Sequence, residues 1–252
     1  SKTIFERKQL LKNSDKIIFN SIWSKNRFLL SLNKDEYMDK VRTIYQSAPK
    51  TKVNFNKKEK LISFIGKLNV AKGYDLFGTS IIKILNKHKN WKAIVIGDEP
   101  REKIFFKHKN LIILGFKSHK FILNILKKVS ISVVCSRWQE PFGRASLEAC
   151  SRGCATIISN KGGLPETTKH PIIIDTLTEN KLFQKIDYLI RNKKKRNEIQ
   201  KKNYIDFIYT HKYITKQIDS LRDDIINPYQ PKIVKLKNDT KLKILHITNL
   251  NE

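Results

Sequence analysis

The distribution of hydrophobic positions along this chain predicts an α/β fold. Short apolar runs at 60–66, 130–136 and 155–159 are typical of strands that are buried on both faces of a sheet. Each run is followed by a loop and then by a helix-forming segment. After the second run that segment is 145–150, which Gly153 is placed to end. The repeated order of strand, loop and helix predicts a doubly wound, parallel, Rossmann-like sheet.

Further elements are predicted toward the two ends of the chain. The pattern favours a helix at 2–11, a strand at 15–21 and a helix at 23–32, followed by a linker at 41–53. The segment 179–226 is helical by its period. Two apolar stripes in that segment are predicted to be core: Leu182, Ile186, Leu189 and Ile190, then Tyr209, Tyr213, Ile214, Ile218 and Leu221.

Two carboxylates, Glu140 and Glu148, bracket a glycine at a point where a loop passes into a helix. Gly143 lies at the predicted helix N terminus, where free backbone N–H groups and the helix dipole favour an anion. One carboxylate could hold hydroxyls of a sugar and the other those of a ribose, with a diphosphate between them, so the arrangement suits a sugar nucleotide. The alternative is that Glu140 is a surface loop acid and Glu148 an ordinary exposed helix residue, because short motifs match by chance.

Two other loops are expected at the same edge of the sheet. Lys67 and Lys72 follow the strand that ends at Gly66, and two lysines at the C-terminal end of a parallel strand could neutralise a diphosphate without a metal ion. Taken alone, a solvated role for both lysines is the simpler interpretation. The turn-rich loop 162–166 follows the strand at 155–159 and is expected to offer anion or hydroxyl ligands to the same cleft.

Five motifs occur in order between about Val53 and about Asp175. They are Gly66-Lys-Leu-x-x-x-Lys72-Gly73-x-Asp75, Gly97, Leu114-Gly115-Phe116, Glu140-x-Phe142-Gly143 with Glu148-Ala149, and Gly162-Gly163-Leu-Pro-Glu166. In this order they resemble the C-terminal domain of retaining glycosyltransferases of family 4, which have the GT-B fold. The ordered set is far more specific than any one of its members.

The resemblance implies a nucleotide-sugar donor domain with catalytic roles for Glu140, Lys67 and Lys72. Glu140 would contact the transferred sugar, Glu148 the ribose, and the two lysines the diphosphate. Lys67 stands where the family usually has arginine, so the charge is kept but the bidentate geometry is lost. The donor-binding residues that the resemblance implies are Gly66, Gly115, Phe116, Phe142, Gly143, Arg144, Ala145 and Glu148.

The resemblance also implies an activity. It is that of a retaining hexosyltransferase, which moves a sugar from a nucleoside diphosphate sugar to a glycan or lipid-linked acceptor in cell-envelope polysaccharide synthesis. The reaction is front-face attack assisted by the leaving phosphate, and it demands no protein nucleophile. No Asp-x-Asp sequence and no metal-ligand spacing occurs, so neither a metal ion nor another cofactor is expected. A phosphorylase on the same fold, which would need a pyridoxal-phosphate lysine, is the other enzyme class.

The domain boundaries follow from the same resemblance. Residues 1–48 would be the end of an N-terminal acceptor domain with its linker, a remnant of a second Rossmann-like domain, and 49–230 the donor domain with its terminal helices. Residues 231–252 would hold a linker at 232–241 and, at 242–248, the first strand of a following domain. Most of the acceptor domain would be missing, so the chain is expected to bind donor but to turn over poorly. The hypothesis is a segment of a longer polypeptide, with two glycosyltransferase modules in tandem.

The charge of the chain keeps open a different function. With 51 Lys and Arg against 23 Asp and Glu, the net charge is +28, which suits a non-catalytic basic protein that binds anionic membrane or nucleic acid. The excess of lysine over arginine resembles a coding bias, which weakens that argument. The dense run 193–196 is interpreted as a solvated face or a helix junction. No nucleic-acid module is recognisable in the sequence. The resemblance implies a location in the cytoplasm with peripheral contact at the inner face of the plasma membrane, and the basic charge fits that setting.

The cysteines and histidines add no chemistry at this level. Cys135, Cys150 and Cys154 fall in the predicted core, and an odd number argues against a disulfide framework. They are predicted to be reduced packing residues. None of the six histidines is assigned a catalytic role.

Overall fold

A computed structural model describes residues 2–226 of the chain. The predicted linker at 232–241 and the predicted strand at 242–248 lie outside the described residues. The N-terminal part contains α1 (Lys2–Asn13), β1 (Ile17–Phe19), α2 (Ile22–Phe28), α3 (Lys34–Tyr37) and β2 (Val41–Thr43). The larger part contains β3 (Leu61–Ile65), α4 (Tyr74–Lys87), β4 (Lys92–Ile96), β5 (Leu111–Ile113), α5 (His119–Leu126), β6 (Ile131–Val134), α6 (Arg144–Ser151), β7 (Ala155–Ser159), β8 (Ile172–Ile174), α7 (Glu179–Arg191), α8 (Lys193–Ile205) and α9 (His211–Ile226).

The larger part is built on a six-stranded parallel sheet in the order β5-β4-β3-β6-β7-β8. Ile62 in β3 pairs with Ala93 of β4 on one side and with Ile131 of β6 on the other. The chain therefore winds outward from β3 to β5, returns to the centre, and winds outward again from β6 to β8. This arrangement confirms the predicted doubly wound α/β fold, and it places the reversal of winding between β3 and β6.

Helices cover both faces of the sheet. Leu61 and Ile62 are adjacent in β3 but belong to different core clusters, because successive side chains of a strand point to opposite faces. The helices α4, α7 and α8 supply Phe77, Ile186 and Ile199 to one cluster, whereas α5 and α6 contribute to the other. Burial on both faces explains why these strands are mostly apolar in the sequence. Each fully buried aliphatic side chain contributes on the order of 1.5–3 kcal/mol.

The N-terminal part has its own small core. The strands β1 and β2 pair in parallel, with Ile17 opposite Val41, and Leu11 and Leu29 pack beside them. The helix and the strand predicted at 2–11 and 15–21 are therefore confirmed. The predicted start of the linker at Val41 is wrong, since Val41–Thr43 is a strand. All three residues of β1 are apolar, whereas β2 contains only one apolar residue, Val41, so only β1 stands out in the apolar pattern.

The segment predicted to be helical, 179–226, consists of the three helices α7, α8 and α9. The break between α8 and α9 includes Tyr209, which the sequence placed on a helical stripe. The Tyr209 hydroxyl donates to the Glu166 carbonyl at 2.8 Å, and the Ala48 amide donates to the Tyr209 carbonyl at 2.9 Å. These tertiary hydrogen bonds hold the segment in a non-helical conformation that local periodicity does not reveal.

The basic run 193–196 forms a helix junction, one of the two interpretations made from the sequence. Lys193–Lys195 are exposed, but Arg196 is buried, and its guanidinium lies 5.1 Å from the centre of the Trp91 ring. Arg196 Nη1 donates to the carbonyls of Leu189 and Ile190 at 2.6 and 3.1 Å. These carbonyls belong to the last turn of α7, so Arg196 satisfies groups that the helix itself leaves unpaired.

Candidate active site

A cleft of about 440 Å³ lies beside the C-terminal ends of β3 and β6, at the point where the winding of the sheet reverses. Open α/β sheets bind ligands at this position, and the volume is within the ~300–1,000 Å³ range of small-molecule sites. Most of the site residues predicted from the sequence line this cleft: Gly66, Lys72, Glu140, Phe142, Gly143, Arg144, Ala145 and Glu148.

The helix α6 begins at the floor of the cleft. Gly143 occupies its N-cap position with φ +119°, a conformation that residues with a β-carbon rarely adopt, and a β-carbon there would also overlap the Leu164 side chain. No side chain of the described residues caps this helix, and Gly143, Arg144 and Ala145 line the cleft. The uncapped amides and the positive end of the helix dipole make this point suitable for an anion.

An ion pair crosses the cleft between two loops. Lys72 precedes α4 and Glu140 precedes α6, yet Lys72 Nζ lies 2.6 Å from Glu140 Oε1. The Lys72 side chain is 31% exposed and that of Glu140 is 11% exposed. Both side chains therefore lie in a partly desolvated environment, so the interpretation of Glu140 as a surface loop acid is wrong.

The two loops that carry this pair are fastened to each other. Gly73 has φ +74°, and a β-carbon there would overlap the carbonyl of Cys135. The Arg137 guanidinium donates to both carboxylate oxygens of Asp75 at 2.6 Å, and the Arg137 amide donates to the Ala71 carbonyl. Burial by itself raises the pKa of Asp75, but the bonds from Arg137 outweigh it and lower that pKa. The close approach of the loops fixes the spacing between Lys72 and Glu140.

Glu148 is held by two donors on a single oxygen. Its Oε1 accepts from His119 Nε2 at 3.0 Å and from Arg144 Nη2 at 2.9 Å, and its side chain is only 7% exposed. The interpretation of Glu148 as an ordinary exposed helix residue is therefore wrong. His119 was not among the residues predicted for the site. Its position three residues after Phe116, at the start of a helix, was the only local signal.

Phe142 can contribute to ligand binding in the cleft only through its backbone, because its ring is buried. The ring centre lies 5.4 Å from that of Tyr45 and 5.9 Å from that of Tyr209. Burial raises the pKa of Tyr209 to about 12, so this tyrosine stays neutral. Phe142 thereby anchors both the segment that follows β2 and the segment that precedes α9 beneath the cleft.

Three predicted site residues do not line the cleft. The side chains of Lys67 and Phe116 are exposed to solvent, and the Gly115 carbonyl accepts a hydrogen bond from the Gly97 amide at 2.9 Å, beyond the end of β4. The roles that the resemblance implies for these three residues stay predictions.

The loop 162–166 supports the cleft from behind. Glu166 does not line it. Its Oε2 accepts from the Ile22 amide at 2.7 Å and its Oε1 from the Trp23 amide at 2.9 Å, so the carboxylate caps α2. The Gly163 amide donates to the Glu140 carbonyl at 2.7 Å. The expectation that this loop offers ligands to the cleft is wrong for Glu166, because the positive end of α2 already holds its carboxylate.

The cleft also contains polar residues that the sequence analysis missed. Asn20, Gln46 and Ser136 line it, and Gln46 Oε1 is buried without a hydrogen-bond partner among the described residues. Asn20 and Gln46 come from the N-terminal part and from the segment after β2. They reach the cleft only because those segments fold against the larger sheet, so no local signal indicates them.

The three cysteines are buried and free, and burial raises the pKa values of Cys135 and Cys150 to about 12. This confirms that they are packing residues. In residues 2–226 no group of three or more His, Cys, Asp or Glu side chains is placed to hold a metal ion. No helix of the described part of the chain is long and apolar enough to cross a bilayer.

The doubly wound sheet has a GT-B type fold, with an uncapped helix N terminus and two buried carboxylates at its switch point. The chain belongs to the family described as glycosyl transferases group 1, whose family model matches residues 46–206. The match includes β3 to α8 and every predicted site residue.

Individual relatives agree with this assignment. The chain is 30% identical over 158 residues to the uncharacterized glycosyltransferase MJ1607 of Methanocaldococcus jannaschii, which covers 53% of this chain and 40% of that protein. It is 28% identical over 116 residues to the lipopolysaccharide core biosynthesis mannosyltransferase LpcC of Rhizobium leguminosarum bv. viciae. This alignment covers 42% of this chain and 33% of that protein. The crystal structure of Anabaena Alr3699/HepE in complex with UDP-glucose has a similar fold, with a TM-score of 0.70, 16% identity, and coverage of 83% of this chain and 64% of that one. The chain spans less than half the length of the curated relatives it matches.

Proposed function

We propose that this chain is the donor-binding part of a retaining glycosyltransferase of family 4, which transfers a hexosyl group from a nucleoside diphosphate sugar. The observation that carries the proposal is the convergence of two buried carboxylates, Glu140 and Glu148, on either side of the uncapped N terminus of α6. In the proposed binding mode, Glu140 meets the sugar, the N terminus of α6 the diphosphate, and Glu148 the ribose.

Each part of the donor meets a suitable group. Glu148 accepts hydrogen bonds from ribose hydroxyls, because carboxylate oxygens are strong acceptors for paired hydroxyls. The amides of Gly143 and Arg144 and the ammonium of Lys72 bind the diphosphate, as the dipole of α6 favours negative charge there. Glu140 contacts hydroxyls of the transferred sugar.

The reaction follows from these placements. The bond between the anomeric carbon and the diphosphate oxygen breaks, and its electron pair moves to the diphosphate. Lys72 and the N terminus of α6 stabilise that charge without reorganisation. The acceptor hydroxyl attacks from the same face and gives its proton to the departing phosphate, so the anomeric configuration is retained. We propose that the reaction uses no metal ion and no other cofactor.

The acceptor is proposed to be a glycan or a lipid-linked glycan of the cell envelope. The name of the Rhizobium relative refers to lipopolysaccharide core biosynthesis, and the Anabaena neighbour binds UDP-glucose. We place the enzyme in the cytoplasm, in peripheral contact with the inner face of the plasma membrane, because a net charge of +28 favours anionic lipid. Since the chain spans less than half of its curated relatives, we propose that by itself it binds donor and turns over poorly.

Calorimetric titration with UDP-, GDP- and ADP-sugars at moderate salt, with and without Mg²⁺, tests the proposal. We expect one nucleotide sugar to bind selectively and equally well without the metal ion. Glu148→Ala should weaken that binding about 10- to 100-fold, the scale of a hydrogen bond to a charged group. Glu198→Ala is the matched control, because Glu198 pairs with lysines on α8, away from the cleft.

Two results would contradict the proposal. Binding that is unchanged by Glu148→Ala would remove this carboxylate from the site. The second result is binding that depends on charge alone. It would favour the alternative function, a basic protein that recognises only charge, which the net charge of +28 supports. Such a protein would not distinguish a nucleotide sugar from its nucleotide, and it would lose affinity for every anion steeply as salt rises.

A further inference from the structure

The Glu148 carboxylate is held asymmetrically. His119 and Arg144 both donate to Oε1, at 3.0 and 2.9 Å, whereas Oε2 receives no hydrogen bond from any described residue. Two donors on one oxygen fix the plane of the carboxylate and leave the acceptor sites of the other oxygen available. Glu148 lines the cleft, so Oε2 is the oxygen available to a ligand there.

The two donors differ in how firmly they are committed to Glu148. Arg144 lines the cleft at the first turn of α6, where an anion competes for its guanidinium. His119 is outside the cleft lining, at the first position of α5, and Ser118 caps that helix by accepting from the Phe121 amide. A diphosphate bound at the N terminus of α6 would therefore compete with Glu148 for Arg144 but not for His119.

The support for His119 is rigid because α5 and α6 share a core. Leu126 of α5 packs in one cluster with Ala149, which follows Glu148 in α6, and with Cys154. An exposed ion pair contributes little because both side chains remain mobile. Here the His119 side chain is 52% exposed, but the carboxylate is only 7% exposed and both partners are carried on packed helices, which limits the mobility of the pair.

We propose that His119 is a positioning residue, which orients Glu148 so that Oε2 is presented to adjacent hydroxyls of the donor ribose. The inference rests on the proposed function, because it requires a ribose at Glu148. His119 contributes through an Nε2–H donor. A side chain that supplies another N–H at a similar reach should therefore substitute for it, and one that supplies none should not.

Calorimetry with uridine, guanosine and adenosine diphosphates and their 2′,3′-dideoxy counterparts tests the inference. For the ribonucleotide that binds, we expect His119→Ala to weaken affinity about fivefold, the scale of one hydrogen bond, and His119→Gln to restore most of the loss. The dideoxy nucleotide should bind His119→Ala and the unmodified protein within about twofold of each other. In the background of Glu148→Ala, the change at His119 should have no further effect.

The control variant is His170→Ala, because His170 forms a second histidine–carboxylate pair, with Asp206, away from the cleft. It should leave both affinities unchanged. Circular dichroism and thermal melting establish that each variant is folded. If His119→Ala does not fold, the binding test is made with His119→Gln.

The failures of the inference and of the proposed function are distinguishable. If Glu148→Ala leaves ribonucleotide binding unchanged, the proposed function fails and the inference fails with it. If Glu148→Ala weakens binding but His119→Ala does not, only the role of His119 is overturned. Equal losses for the ribonucleotide and its dideoxy counterpart would also overturn it, because the effect would then not pass through the ribose hydroxyls.

Discussion

Replacing Lys72 by methionine removes the ammonium that lies 2.6 Å from Glu140 Oε1 and keeps most of the aliphatic stem. Exposed ion pairs contribute about 0.2–1 kcal/mol, whereas removing one partner of a fully buried pair costs about 3–5 kcal/mol. With side-chain exposures of 31% and 11%, this pair lies between the two cases. We therefore expect Lys72→Met to lower the free energy of unfolding by about 2 kcal/mol.

Most of this loss is expected to come from the Glu140 charge that is left without a partner. Adding Glu140→Gln to Lys72→Met should recover about 1 kcal/mol, since a neutral amide costs less to keep in a desolvated site. In thermal melts Lys72→Met should lower Tm by about 4–8 °C, the range for a chain of this size. Urea titrations of both single variants and the double variant give the coupling energy directly.

The control for this experiment is Lys128→Met. Lys128 Nζ lies 3.3 Å from Glu59 Oε1, but both side chains are more than half exposed, so we expect no measurable coupling there. Strict additivity of Lys72→Met and Glu140→Gln would refute the reasoning, because the ion pair would then contribute nothing to the fold.

The same substitution tests the diphosphate site. Because Lys72→Met loses one charge-assisted hydrogen bond, it should weaken the binding of a nucleoside diphosphate about 10- to 100-fold.

Glu140→Gln should change the affinity for the bare nucleotide by less than about twofold, and it should reduce the preference for the nucleotide sugar over the nucleotide. Equal losses for both ligands in Glu140→Gln would contradict the role that we assign to Glu140.

Two further predictions concern the support of the cleft. Glu166→Ala removes the cap on the Ile22 and Trp23 amides and should lower the free energy of unfolding by about 1–2 kcal/mol in urea titrations, whereas an unchanged midpoint would show that the cap does not stabilise the fold. The thiols of Cys135 and Cys150, whose pKa values burial raises to about 12, should not react with Ellman's reagent at pH 8 in the folded protein. All three cysteines of the chain should react in denaturant, and rapid labelling of the native state would contradict their burial.

Much of the fold could be predicted from the sequence. The runs at 60–66, 130–136 and 155–159 contain the strands β3, β6 and β7, because strands buried on both faces are apolar at most positions. The start of α6 could be predicted as well, since Gly143 permits a backbone conformation that few other residues adopt. The short strand β2 and the break at Tyr209 were missed, because tertiary hydrogen bonds rather than local pattern define them.

The amino-acid sequence was enough to locate the cleft of this protein, between the loops that follow β3 and β6. Local periodicity fixes the strands, and the parallel order of strands brings their C-terminal ends to one edge. The hydrogen-bond partner of each polar side chain at that edge depends instead on how the chain folds in three dimensions. Glu166 and Glu148 were both candidate ligands, but α2 takes the first, whereas His119 fixes the second within the cleft. Glu166 is more than a hundred residues from its partners in α2, and Glu148 in α6 is bound by His119 on a different helix, α5. A hydrogen bond depends on the distance between two atoms in space and not on their separation along the chain.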